Sequence, residues 1–126
     1  CFQTAIACVL GIDKSEVPAL NGKGFNAEKQ AEAADAFLRS KGYRLIEIAV
    51  TPNSIGEALE WAGRASPDMV YIMSGGTSRG TCHAVLCKGN KFLHDPLPDG
   101  YFLCGPDLET GTYAMTYIVP LVEYEV

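Results

Sequence analysis

The stretch HAVLCKGNKFLHD, residues 83–95, decides which fold this chain is expected to adopt. It consists of two largely apolar segments that flank Gly89-Asn90, a pair well suited to the tight turn of an antiparallel hairpin. In such a hairpin the first and last residues of the stretch meet at one end of the sheet. The sequence therefore predicts a β-hairpin that brings His83 and Asp95 to the same end.

The rest of the chain shows helical patterns first and strand patterns later. Helices are predicted at residues 2–10, ended by Gly11, at 27–40, capped by Asn26, and at 53–64, with Ile55, Leu59 and Trp61 as contacts. Further strands are predicted at residues 43–50, 69–73 and 113–124, and a glycine-rich turn at 74–80 beside the site. Helices followed by an antiparallel sheet are typical of an α+β domain.

Composition limits the classes of partner. The 126 residues are 48% hydrophobic and 20% charged, which fits one globular domain spanning residues 1–126. The net charge is -5 and the ten basic residues are scattered, so no nucleic-acid partner is expected. No apolar run approaches the roughly 20 residues of a membrane span, so membrane insertion is not expected. Because no signal peptide is visible, we expect a cytoplasmic location.

The five cysteines are an odd number without the spacing of a disulfide scaffold, so free thiols are expected. The sequence has no CxxC pair, and its two histidines lack cysteine partners at zinc-finger spacing. No metal site and no cofactor are therefore predicted. Cys8, in the first helix, and Cys87, among apolar strand residues, are predicted to be packing cysteines.

Cys1 is the strongest candidate for a nucleophile, because it lies at the start of the first predicted helix. The attacking species is the thiolate, which unpaired N–H groups and the helix macrodipole favour at a helix N-terminus. Cys82 and Cys104 do not precede a helix. The alternative is that Cys1 is an incidental terminal thiol.

His83 is the candidate general base, and Asp95 is the residue that would orient its imidazole. Each has a plain structural alternative, since a single histidine is often a satisfied structural residue and Asp-Pro is a common turn element. Together with a cysteine at the start of a helix, the histidine and the aspartate are a more specific signal of a catalytic triad than either residue alone. His94 is left out of the triad as a neighbouring or substrate-facing residue.

Two motifs carry a resemblance to a known group. CFQTAIACVLG, residues 1–11, resembles the catalytic-helix motif of papain-like cysteine peptidases, and HAVLCKGNKFLHDP, residues 83–96, resembles their histidine strand and aspartate strand. The nearest likenesses are peptidase domains that process bacteriocin leaders and uncharacterised papain-like proteins of bacteria and phages. The resemblance implies a papain-like fold in which the nucleophile helix packs on a C-terminal antiparallel sheet. It also implies a Cys1, His83 and Asp95 triad that cleaves an amide or peptide bond through a thioester.

The chain departs from this family at the oxyanion hole. Papain-like enzymes usually take one oxyanion donor from a glutamine several residues before the cysteine, and this sequence begins at Cys1. Either that glutamine precedes this sequence in a longer protein, Gln3 substitutes for it, or Cys1 is a mature N-terminus. In the last case the Cys1 α-amine would be the base of an autoprocessed N-terminal-nucleophile amidase. A non-catalytic peptide-binding module is the remaining alternative.

Overall fold

Three α-helices and five strands occur in the part of the chain described by the computed structural model, which comprises residues 2–20, 24, 26–51, 54–78, 82–95, 103–107 and 110–122, Ala27 by its backbone only. The helices are α1 (Phe2–Leu10), α2 (Ala27–Ser40) and α3 (Ile55–Ala65), and a short 3-10 helix (Lys14–Glu16) follows α1. The strands are β1 (Tyr43–Val50), β2 (Val70–Gly76), β3 (Cys82–Lys88), β4 (Lys91–His94) and β5 (Tyr113–Pro120).

Side-chain caps fix where the longer helices begin. The Asn26 side chain accepts a hydrogen bond from the Lys29 N–H at 2.8 Å, which confirms the predicted cap of α2. The Ser54 hydroxyl accepts from the Glu57 N–H at 3.2 Å, so α3 begins at Ile55. Its predicted start at residue 53 lies outside the described residues.

The five strands form one antiparallel sheet in the order β1-β5-β2-β3-β4. The last strand along the chain, β5, is inserted between β1 and β2, where it pairs with both. This mixed arrangement of helices and an antiparallel sheet confirms the predicted α+β class. The elements also follow the predicted order along the chain, with the strand at 43–50 lying between the second and third helices.

The sheet carries a separate apolar core on each face, because successive side chains of a strand point to opposite sides. On one face α1 and α2 cover a buried cluster that includes Ile72, Ala84 and Leu86 of the sheet. On the other face α3 covers a cluster that includes Tyr71, Met73, Val85 and Cys87. The sheet is therefore the middle of three layers.

Side chains in these layers depart from the predictions at two positions. Trp61 is 38% exposed and not a core contact, because α3 packs through the small, fully buried residues Ala58 and Ala62. Cys87 is buried, as predicted, but Cys8 is exposed and is not a packing cysteine. Among the described residues, Cys8, Cys87 and Cys104 are free thiols, as expected.

The β3–β4 hairpin forms at the predicted turn. Gly89 has a φ of 56°, a left-handed conformation, and a Cβ there would collide with the Pro67 carbonyl oxygen. The Gly89 carbonyl in turn accepts a hydrogen bond from the buried Tyr71 hydroxyl at 2.7 Å. The turn is thereby tied to the core beneath α3.

The glycine-rich residues after Met73 were predicted to form a turn, which is wrong for Ser74–Gly76 because they continue β2. Gly75 pairs with His83, and the Gly76 N–H donates to the Gly105 carbonyl at 2.8 Å. Here glycine lets a second chain segment approach closely. At the C-terminal end, β5 stops at Pro120, and the predicted extension to residue 124 is wrong for Leu121 and Val122.

Candidate active site

The structure brings together the two strand residues of the predicted triad. His83 Nε2 lies 2.8 Å from Asp95 Oδ1, and their side chains are only 4% and 16% exposed. His83 is the second residue of β3, opposite Gly75 of β2, and Asp95 directly follows β4. The predicted hairpin is the element that carries both residues.

An irregularity in the hairpin determines which face Asp95 occupies. Cys87 pairs with Phe92, but Leu86 pairs with His94, so β4 contains one extra residue at this point. Without the extra residue, the register of the Cys87–Phe92 pair would set Asp95 opposite Ala84, whose side chain faces α1. With the extra residue, the register of the Leu86–His94 pair sets Asp95 opposite Val85, on the same face of the sheet as His83. The bulge therefore re-aims the carboxylate toward the imidazole.

The hydrogen bond assigns the tautomer of His83. An ionised carboxylate only accepts hydrogen bonds, so His83 Nε2 carries the proton that it donates to Asp95. The neutral imidazole then presents a lone pair on Nδ1, which is the nitrogen able to accept a proton. Within the described part of the chain, Nδ1 has no hydrogen-bond partner.

His83 lines a cleft of about 510 Å³ together with its strand neighbours Cys82 and Ala84. Although His83 belongs to the side-chain series that faces α3, it lies at the end of β3, where the cleft opens. Phe2, the first residue of α1, lines the same cleft. The start of the predicted nucleophile helix and the histidine therefore border one space. Cys1 lies outside the described residues, and its assignment as nucleophile stays a prediction.

Gln3, the predicted oxyanion donor, forms two hydrogen bonds to the backbone of the segment after α1. Its Nε2 donates to the Val17 carbonyl at 2.8 Å and to the Lys14 carbonyl at 3.3 Å, which ties the segment after α1 back to the helix. Both amide hydrogens are engaged in these bonds. Gln3 is also not among the residues that line the cleft, so the geometry does not support its role as oxyanion donor.

The segment before β5 forms one wall of the cleft. The Cys104 N–H donates to the Gly76 carbonyl at 2.9 Å, which fastens this segment to the end of β2. Farther along, the Asp107 N–H donates to the Thr112 carbonyl at 2.8 Å, and Asp107 Oδ1 accepts from the Thr110 N–H at 3.2 Å. All three of these residues line the cleft. Sequence patterns did not indicate this wall, because the bond between Cys104 and Gly76 that fastens it to the sheet joins residues far apart in the chain.

Other ionisable side chains differ from the His83–Asp95 pair in their surroundings. His94 is exposed on β4 and pairs with Leu86, so it does not share the buried position of His83. Burial, with a smaller contribution from the nearby Cys104 thiol, raises the pKa of Tyr113. The described residues contain no group of three or more side chains that could hold a metal ion.

Among the helices of the described segments, none has the length and apolar character needed to cross a membrane. No protein-family model, curated protein or solved structure matches the chain, so its function has to be inferred from its own residues.

Proposed function

We propose that this protein is a papain-like cysteine hydrolase that cleaves an amide or peptide bond through a thioester. In this proposal Cys1 is the nucleophile, His83 the general base and Asp95 the residue that orients the base. The observation that supports it most is the 2.8 Å hydrogen bond between His83 Nε2 and Asp95 Oδ1 at the border of the cleft where α1 begins.

The reaction follows from the protonation state of that pair. His83 Nδ1 takes the proton of the Cys1 thiol, and the thiolate attacks the substrate carbonyl carbon to form a C–S bond. The imidazolium then gives its proton to the leaving nitrogen as the C–N bond breaks, which leaves a thioester and a free amine. Water attacks the thioester while His83 takes its proton. Cleavage of the C–S bond then releases a carboxylic acid and restores the thiol.

Helix α1 supports the proposed thiolate through its backbone. The first N–H groups of a helix have no partner within the helix, and they favour negative charge close to its N-terminus. The first turn of α1 contains no acidic residue that would oppose this effect. A cysteine immediately before Phe2 is therefore in the sequence position where the backbone favours a thiolate.

The pH dependence of iodoacetamide labelling, measured by peptide mass spectrometry, tests the proposal. Wild type, His83→Ala and the matched control His94→Ala would be compared, with the exposed thiols Cys8 and Cys104 as internal references. We expect Cys1 to be labelled fastest, well below pH 8, in wild type and His94→Ala. In His83→Ala it should behave like the reference thiols, because the proton acceptor is missing.

Turnover of an amide substrate gives an independent test. We expect His83→Ala to lower turnover by about 10²–10⁴-fold, the usual contribution of a general base, with an unchanged circular dichroism spectrum. Unchanged turnover would remove His83 from the mechanism. A slow, ordinary Cys1 thiol in all three proteins would contradict the hydrolase and favour the peptide-binding module. If blocking the α-amine stops turnover but His83→Ala does not, the N-terminal-nucleophile amidase is favoured.

A further inference from the structure

We infer that the floor of the cleft binds a side-chain carboxamide, that of glutamine or asparagine in a peptide ligand, through the hydroxyl of Thr116. The cleavage of such a peptide rests on the proposed hydrolase function. Its binding does not, and it can be measured separately.

The floor of the cleft is a part of the sheet that α1 and α2 leave uncovered. Here strand pairing sets four small residues directly opposite one another across β3, β2, β5 and β1: Ala84, Ser74, Ala114 and Ala49. All four line the cleft. Their short side chains leave a trough above the sheet, and the cleft volume of about 510 Å³ is within the range of ligand sites.

Thr116 lies in the neighbouring row of the same face. It pairs with Ile72 of β2 and with Glu47 of β1, and directly opposed side chains point to the same face of a sheet. Because Ile72 belongs to the core beneath α1 and α2, the Thr116 side chain points to the face that holds the cleft. Thr116 is itself one of the residues that line the cleft.

The Thr116 hydroxyl is the second, independent sign of a ligand. The residue is only 2% exposed, yet its side chain forms no hydrogen bond within the described chain. Its oxygen is not one of the atoms sealed from solvent, so the small surface that it keeps opens into the cleft. A buried hydroxyl normally has a partner. We therefore expect a polar group of the ligand to supply it.

The polar groups around Thr116 define what that ligand group must offer. The Ser74 hydroxyl also lines the cleft without a hydrogen bond inside the described chain. Gln30 of α2 donates its Nε2 to the Leu20 carbonyl at 2.8 Å, which leaves Oε1 as an acceptor. Glu47, directly opposite Thr116, adds a carboxylate that only accepts. The site thus combines hydroxyl donors with oxygen acceptors.

A side-chain carboxamide matches this combination. Its oxygen can accept from the Thr116 hydroxyl, and its N–H groups can donate to Glu47 or to Gln30 Oε1. A carboxylate has acceptors only and is repelled by Glu47, whereas an apolar group leaves the Thr116 hydroxyl without a partner. Because Thr116 is 2% exposed, the terminal amide of a side chain reaches it more easily than a backbone amide, which has chain on both sides.

Peptide binding tests the inference directly. Three fluorescein-labelled octapeptides, identical except for a central glutamine, methionine or glutamate, would be titrated with the Cys1→Ala protein, in which no thioester can form. Fluorescence anisotropy should give the tightest binding for the glutamine peptide and the weakest for the glutamate peptide. Adding Thr116→Val should weaken glutamine-peptide binding by about three- to tenfold, because it removes one hydrogen bond and keeps the shape. The methionine peptide should bind as before.

Two comparisons separate ligand binding from a structural role of Thr116. Since the hydroxyl has no partner in the described fold, Thr116→Val should leave the melting temperature unchanged or raise it, as measured by circular dichroism. Thr4→Val is the matched control, because it makes the same change on α1 at a residue that does not line the cleft. It should not change the binding of any peptide.

Three results would overturn the inference. The first is that the glutamine peptide binds no better than the methionine or glutamate peptide, or that none of the three binds. The second is that Thr116→Val leaves glutamine-peptide binding unchanged. The third is that Thr116→Val weakens the glutamine and methionine peptides equally, since the hydroxyl would then contact the peptide backbone.

Cleavage of the same peptides by wild type separates this inference from the proposed function. If the glutamine peptide binds through Thr116 but is not cleaved, the carboxamide site stands and the hydrolase proposal fails. If the peptides are cleaved and Thr116→Val changes neither binding nor cleavage, the hydrolase stands and the carboxamide site fails.

Discussion

Removal of the Asp95 carboxylate should measurably destabilise the protein, because it leaves the His83 N–H without this acceptor in a buried position. The bond is 2.8 Å long, and the two side chains are 4% and 16% exposed. A hydrogen bond to a charged partner contributes about 1.5–3 kcal/mol, and an orphaned buried donor costs about 1–3 kcal/mol. Since these figures describe the same loss, we expect Asp95→Ala to lower the free energy of unfolding by about 2–3 kcal/mol.

Asp95→Asn separates the geometry of the bond from its charge. The amide oxygen can still accept the His83 N–H, so the loss should be about 1 kcal/mol. Urea denaturation at pH 7 would give both free energies, and thermal melts should show a midpoint lower by about 4 °C for each kcal/mol in a domain of this size. Glu60→Ala is the control, because its side chain is 70% exposed and lies 3.8 Å from Arg64.

The comparison among these variants decides the result. Glu60→Ala should change the free energy of unfolding by less than about 0.5 kcal/mol. If Asp95→Ala is no more destabilising than this control, the buried hydrogen bond does not contribute as argued. If Asp95→Asn costs as much as Asp95→Ala, the negative charge and not the acceptor oxygen holds the imidazole.

Three further predictions concern residues outside the triad. Tyr71→Phe should lower the free energy of unfolding by about 1–2 kcal/mol, because the buried hydroxyl donates to the hairpin turn. Tyr113→Phe should be neutral or stabilising, since that buried hydroxyl has no partner in the described chain. Urea denaturation measures both effects. In α3, Gly56→Ala should stabilise the protein by about 0.5–1 kcal/mol, as expected for a helix. Gly63→Ala should destabilise it, because the added Cβ would lie 2.7 Å from the Asn90 Cβ of the hairpin. The opposite order of melting temperatures would contradict this. Burial is the largest single influence on the pKa of Asp35 and raises it, but a hydrogen bond from the β1 backbone and the interactions with two arginines together outweigh burial and lower the pKa below 3.8. The ionised Asp35 carboxylate should therefore stabilise the folded protein above pH 3.8, and this contribution should disappear as the pH falls through the native pKa. Urea denaturation of wild type and Asp35→Asn from pH 2 to 7 would measure it.

Local chemistry made much of the fold predictable from sequence. The bounds of α1, α2, β1, β3 and β4 agree with the prediction because glycine, asparagine and hairpin signals mark their ends. Asn26 caps α2 through its own side chain, and Gly89 adopts the conformation that the hairpin requires. Such signals act within four or five residues, so one sequence is enough to interpret them.

Features that depend on distant parts of the chain were not predictable in this way. The insertion of β5 between β1 and β2 is set by pairing over the whole sheet. Ser74–Gly76 continue β2 because β3 and the segment around Gly105 supply hydrogen-bond partners on both sides. Glu47 of β1 and Asp107 of the segment before β5 line one cleft only because the sheet brings these two parts of the chain together. The glycine content of residues 74–80, taken alone, had indicated a turn there instead of a longer β2.

The bulge in β4 links the fold to the proposed chemistry. The sequence predicted that His83 and Asp95 would lie at one end of the hairpin, but a regular register would have set them on opposite faces. An extra residue in a short edge strand disrupts its pairing, so it has a cost in sheet stability. In return it brings a carboxylate to the imidazole.

Stability alone is a poor explanation for that arrangement. A buried polar pair that includes a carboxylate contributes little net stability compared with well-packed apolar residues of similar size, because both groups must lose their water. In a purely structural pair we would also expect both imidazole nitrogens to be bonded, yet Nδ1 of His83 has no partner in the described chain and borders a cleft. A bulge and a buried polar pair are two costs at one end of the sheet, and the imidazole of that pair borders the cleft. They become understandable together if a thiol at the start of α1 gives its proton to that nitrogen, which is the step the labelling experiment measures.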